Sequence, residues 1–161
     1  MYEQLSKRAK EIIEKILYIT IATASKDGTP WNSPAYSAFD QDYNFYWASD
    51  QNGQHSKNIA ENDNVFIVIY DSTVPEGTGK GVYIQAKAYK LEDPKDIEYG
   101  LKYLEGRVNR KKDPKTRIAE FQGENPRRVY KAIPEKVWMN GDGDINGKYI
   151  DIRMEVELLN K

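Results

Sequence analysis

Cysteine is absent from the 161-residue sequence, and histidine occurs once, as His55. The first absence excludes disulfide scaffolds, iron–sulfur centres, thiol catalysis and Cys-based zinc sites. The second excludes any multi-histidine metal site. Charge of one sign is not in excess either, since 24 Lys+Arg against 25 Asp+Glu leave a net charge of −1. That balance argues against a protein whose main task is coating nucleic acid or acidic membranes. The longest clean apolar run, Val65 to Tyr70, falls far short of the ~20 residues a bilayer span needs. The opening stretch MYEQLSKRAKEIIEKIL carries seven charges and no apolar h-region, unlike a secretory signal. A soluble cytoplasmic protein with no membrane or nucleic-acid partner is expected.

Apolar residues make up 39% of the chain, enough for a real core, and the length suits one domain spanning residues 1–161. The aromatic content stands out, with 12 Tyr, 3 Trp and 4 Phe. A chain rich in aromatics and poor in catalytic side chains points to chemistry supplied by a cofactor.

Leu5, Ala9, Ile12, Ile13 and Ile16 form one stripe of an amphipathic helix. Strand composition takes over in 17–25, with a turn at Lys26-Asp27-Gly28-Thr29-Pro30, and resumes in 31–39 and 43–49. Pro34 lies inside the second strand and gives no amide to a ladder, so that strand is expected at an edge or bulged there. A short helix over 54–62 precedes an apolar strand over 65–71. A Gly/Pro loop follows over 72–80, then a strand over 81–91 and a helix after Pro94 carrying Ile97, Leu101 and Leu104. A basic linker is read at 111–115, strands at 129–139 and 148–158, and a loop at 140–147. Sequential hairpins with a few short helices suggest an antiparallel β-barrel.

Several motifs fail on detail. Gly77-Thr78-Gly79-Lys80-Gly81 lacks the hydroxyl residue that a phosphate loop requires after its Gly-Lys, and it precedes a strand rather than a helix. Asp142-Gly143-Asp144-Ile145-Asn146-Gly147 begins like a calcium loop, but the position that must supply a bidentate carboxylate is Arg153. No metal site is expected. A nucleic-acid-binding barrel would draw on the aromatics and the basic cluster from Arg107 to Lys115, but the net charge counts against it. Nothing resembling a nucleophile elbow accompanies His55. Gln54, His55, Ser56 and Lys57 mark the start of the short helix. Read alone, they are either a solvated helix start or a phosphate cradle built on its unpaired N–H groups. Trp31, Tyr36, Tyr46 and Trp47 lie on the two strands leading into that helix, where a planar ring system could bind.

The series Ala22-Thr23, Asp27-Gly28-Thr29-Pro30, Ser33-Pro34, Tyr46-Trp47, His55-Ser56-Lys57-Asn58 and Val65 to Tyr70 resembles the pyridoxamine 5′-phosphate oxidase-like family of FMN-binding split barrels. The resemblance implies a mainly β fold, a six-stranded antiparallel split β-barrel with peripheral helices. It also implies a homodimer with FMN bound between subunits, and an oxidoreductase acting on a small-molecule substrate or electron donor. Carried over by position, Ser33, Pro34, Ala35 and Tyr36 would edge the isoalloxazine and ribityl chain. Trp47, Ala48 and Ser49 would flank the flavin, Gln54, His55 and Lys57 would hold the phosphate, and Trp138 would reach the partner's flavin. Where the oxidase has Arg and Lys at the phosphate, this chain has Ser33, Gln54 and His55, and the C-terminal His-Asp-Arg segment that grips pyridoxal phosphate is missing. FMN binding is thus implied more directly than vitamin B6 oxidation, and no catalytic residue is assigned. A non-enzymatic flavin-binding or regulatory barrel is the alternative; the deazaflavin-binding branch of the superfamily shares the barrel, and the sequence leaves the choice among FMN, deazaflavin and haem open.

Overall fold

The computed structural model describes residues 2–108 and 112–159. Helix α1 (Tyr2–Lys15) buries Ala9 and Ile13, and Leu5, Ile12 and Ile16 pack beside them. Its closing carbonyls find a distant partner. The Arg107 guanidinium donates to the Ile13 and Ile16 carbonyl oxygens, each at 2.8 Å, filling acceptors that a helix end leaves open.

Seven antiparallel strands follow: β1 (Tyr18–Ala24), β2 (Pro30–Phe39), β3 (Phe45–Asp50), β4 (Asn64–Tyr70), β5 (Gly81–Lys90), β6 (Arg127–Ile145) and β7 (Lys148–Glu155). Their order is β3-β2-β1-β4-β5-β6-β7, and β3 also pairs with β6. Six strands therefore close a ring, the split barrel the sequence implies, and β7 is appended outside it. Closure depends on the length of β6, which is 19 residues long. Its early part pairs with β3, its middle with β5 and its end with β7. Opposite β5, Ala86 faces Pro134 and Gln85 faces Lys136, so Glu135 is an extra, bulged residue. Pro134 has no amide to give, which is why the ladder breaks there.

Alternation turns Ile19, Ile21, Ile67, Ile69, Val82 and Ile84 into the ring. A second core lies on the ring's outer side. There Ala38, Tyr46 and Val129 meet Ile97, Leu101 and Leu104 of α3 (Pro94–Arg107) and Phe121. Phe121 ends a 3₁₀ turn (Ile118–Phe121) that continues α4 (Pro114–Arg117). Helix α2 (Gln54–Glu61) joins β3 to β4 and packs on β1, β2 and β5.

Two expectations need correcting. The stretch 140–147 is not a loop, because β6 runs through it to Ile145 and only Asn146-Gly147 turns. Both turn residues have positive φ, 54° and 77°, the backbone of a two-residue hairpin with the Asn-Gly signal. Gly141 and Gly143 are strand residues that leave room for Met154 and Ile150 on β7. Asp142 and Asp144 thus sit in extended strand, with Asp142 paired to Lys80 at 3.1 Å, and do not circle a common point as calcium ligands would. The basic linker read at 111–115, like part of the cluster from Arg107 to Lys115, falls partly outside the described residues. From Pro114 onward the segment is helix α4, capped by the Asp113 carboxylate accepting from the Lys115 amide. Among the described residues, no helix is long and apolar enough to cross a membrane.

Candidate functional site at the split

Strands β2 and β3 pair only from Phe39↔Phe45 to Ser37↔Trp47 and then diverge. Beyond that point β2 keeps its partner β1 while β3 follows β6. The Ser37 amide donates to the Leu17 carbonyl, on the β1 side. Amides alternate along a strand, so Pro34 faces the other way, towards β3, with no N–H to offer. The proline is at an edge as its sequence position requires, and it helps keep the wedge open.

His55 spans that wedge. Its Nε2 lies 2.9 Å from the Ser49 hydroxyl on β3, and its Nδ1 lies 3.4 Å from the Ser33 hydroxyl on β2. The Trp31 indole N–H donates to the same Ser33 oxygen at 2.9 Å. In the tautomer with its proton on Nε2, His55 donates to Ser49 and accepts the Ser33 proton at Nδ1. Burial pushes the His55 pKa below its usual value, so the ring is neutral at pH 7.

Three residues separate β3 from helix α2, which has Gly53 at the N-cap and no capping side chain. Its first turn carries no acidic residue, so the unpaired N–H groups and the positive end of the helix dipole stand uncompensated. Lys57 is exposed and makes no ion pair among the described residues. Side-chain hydrogen bonds hold α2 in place. The Gln54 amide donates to the Asn58 Oδ1, the Asn58 amide to the Thr23 Oγ1 at 3.0 Å, and the Ser56 hydroxyl to the Asp50 carbonyl.

The pleat divides the residues that the sequence places together. Ala35 and Trp47 face the ring interior, and Ser33 and Ser49 face His55 from the same side of their strands. Tyr36 and Ala48 lie on the outer side, against the α3 core, and Pro34 shares that parity. Trp47 is 0% exposed and stacks on Tyr130 with centroids 5.6 Å apart. It supports the wedge from inside and presents no surface there. Tyr46 is buried as well, its hydroxyl donating to Asp40 at 2.9 Å. Of the four aromatics read as a cluster, only Trp31 and Tyr36 keep surface near the wedge. Thr23 and Asn58 join the candidate site as the buried pair that ties α2 to β1. The i, i+4 spacing of Gln54 and Asn58, which puts both on one helix face, is the sequence signal for Asn58.

The sequence matches the pyridoxamine 5′-phosphate oxidase family over residues 5–141. The chain belongs to that family. No curated protein matches it. Among solved structures it is similar to HutZ, the heme storage protein of Vibrio cholerae, at 20% identity and TM-score 0.64, covering 83% of this chain and 92% of that one. A candidate 5-nitroimidazole antibiotic resistance protein of Bacteroides thetaiotaomicron aligns at 17% identity and TM-score 0.65, covering 83% and 81%. A heme binding protein of Mycobacterium smegmatis aligns at 14% identity and TM-score 0.66, covering 92% of this chain but 57% of its own. At such identities the likeness is one of fold.

Proposed function

We propose that the chain binds FMN in the wedge between β2 and β3 and works as a flavin-dependent oxidoreductase. The observation that carries this reading is the uncapped α2 N-terminus at the open end of the wedge, with Lys57 unpaired beside it. A phosphate monoester is the ligand group this donor set suits, since backbone N–H groups and an ammonium both favour a dianion. Gln54 and His55 would complete the cradle, with Ser33 and Ser49 orienting the imidazole. Pro34, Ala35, Tyr36 and Ala48 would border the ring system and ribityl chain. Bound FMN supplies hydride or electron transfer, and the protein supplies position, electrostatics and exclusion of water. A homodimer fits the outer face of β4, β5 and β6, where Phe66, Tyr70 and Tyr89 are 37%, 49% and 42% exposed and Trp138 stacks on Phe66.

Heme is the second reading, favoured by the two similar structures named for it. His55 is the one imidazole available to a heme iron, and ligation through Nδ1 or Nε2 would cost it a serine partner. Titrations with FMN, riboflavin and hemin separate the readings. FMN should quench on binding, and H55A/K57A should weaken FMN about tenfold to a hundredfold while changing riboflavin little, as for hydrogen bonds to a charged group. Equal losses for the two flavins would move the phosphate elsewhere. A Soret shift with hemin and no flavin binding would replace FMN with heme. Flavin binding without turnover by NAD(P)H or an oxidisable substrate would leave a non-enzymatic flavin module.

A further inference from the structure

Strand β7 lies outside the ring, and among the described residues its ladder partner is β6 alone. Its second edge is open. The ladder with β6 runs from Lys148 to Glu155 without a shift of register, and the strand contains no proline. Two of the devices that blunt an exposed edge are therefore missing. Just past the strand, the Val156 amide donates to the Val137 carbonyl of β6. Amides alternate along a strand, so Ile150, Ile152 and Met154 also address β6. Tyr149, Asp151, Arg153 and Glu155 turn their amides and carbonyls to the open side. The side chains divide in the same way. Ile150, Ile152 and Met154 are half-buried over Gly141 and Gly143. The opposite face is exposed and carries Asp151, Arg153 and Glu155 in alternating sign, with Arg153 holding Asp151 at 2.7 Å.

We propose that the open edge of β7 pairs antiparallel with β7 of a second copy, about a two-fold axis at Ile152. Registers that keep most of the strand and join outward residues to outward residues are centred on Asp151, Ile152 or Arg153. The first opposes two carboxylates and the last two guanidiniums, and like charges directly opposite are destabilising. Centring on Ile152 sets Asp151 against Arg153 and Tyr149 against Glu155 on both sides of the axis. On the other face the same register sets Ile152 against itself and Ile150 against Met154, so the half-buried apolar side chains meet one another. The charge order of the edge is thus complementary to itself, which favours a second copy over an unrelated strand. The contact is isologous and uses none of the barrel-face residues assigned to the proposed dimer. A single pair of strands is marginal in water, so the step is weak and concentration-dependent.

Light scattering of the wild-type chain between about 10 µM and about 1 mM should show the mass climbing toward about twice its dilute value or beyond. Asp151→Arg places arginine at both 151 and 153, and Arg153→Asp places acids at both. Each variant alone should stay near its dilute mass across the range. An equimolar mixture of the two should recover the climb, because unlike charges then face each other across the axis. A merely local role for the Asp151–Arg153 pair predicts no recovery, since neither variant contains that pair. A wild-type chain that does not climb, variants that climb as far as wild type, or a mixture that stays at its dilute mass would each overturn the assignment. Phe66→Arg acts on the barrel face and should leave the climb in place, so the proposed dimer and the edge pairing can fail separately.

Discussion

His55 sits between two serines on diverging strands. Its lowered pKa has a thermodynamic consequence. The unfolded chain takes up a proton near pH 6.5, before the folded chain does, so folding stability falls as pH drops through that value. Asp71 and Asp27 have carboxyl groups held well below their usual range, chiefly by side-chain hydrogen bonds from Lys15 and Ser25 respectively. They lose stability only at much lower pH. With a single histidine in the sequence, the window between pH 7.5 and 5.5 isolates it. The thermal midpoint of the wild-type chain should fall across this window, and the fall should shrink in His55→Gln. An equal fall in both would assign the loss to another group. A bound phosphate dianion reverses the sign, since it favours the charged imidazole, so FMN should bind more tightly at pH 6 than at pH 7.5. His55 itself was legible because a lone histidine at a helix start is conspicuous. Its serine partners were legible only as neighbours in sequence, since their joint approach depends on where two strands part.

At the level of elements, helix α3 shows what pattern reveals and what it hides. The spacing of Ile97, Leu101 and Leu104 identifies the helix and its buried face. Gly100 on the same helix has no local rationale, and an alanine there would ordinarily help by about 1 kcal/mol. Its reason lies on β3 and β6: an added Cβ would come 2.9 Å from the Tyr46 ring and 3.2 Å from a Val129 methyl. The Tyr46 ring has little room to yield, fixed by its bond to Asp40 and flanked by Tyr103. Gly100→Ala should therefore lower the unfolding midpoint, with an overpacking cost of about 1–3 kcal/mol outweighing the helix preference. A raised midpoint would show that α3 shifts freely on the barrel. The β6–β7 hairpin is hidden in the sequence for a related reason. Its glycines look like loop residues until the side chains of Met154 and Ile150 across the ladder account for them.

For the molecule as a whole, the barrel and its strand sequence were readable because each hairpin is local, whereas the faces of the strands sort themselves only in three dimensions. The outward row of Phe66, Tyr70 and Tyr89 with Trp138 is the surface on which the proposed dimer rests. Phe66→Arg should shift the chain to monomer in sedimentation and should loosen FMN as well if a second copy covers the flavin. A chain that sediments as a monomer before the change would remove the dimer from the proposal.

The long strand β6 also sets the order in which this molecule can be assembled during synthesis. Phe45 must find Ala132, and Asp50 must find Arg127, 87 and 77 positions further along the chain. The hairpin of β1 and β2 can form early, but the ring has no closing member until β6 has been made. Until then β3 presents an unpaired edge beside the wedge. The ring therefore closes only after α3 and α4, which lie between β5 and β6 in the chain, have been made.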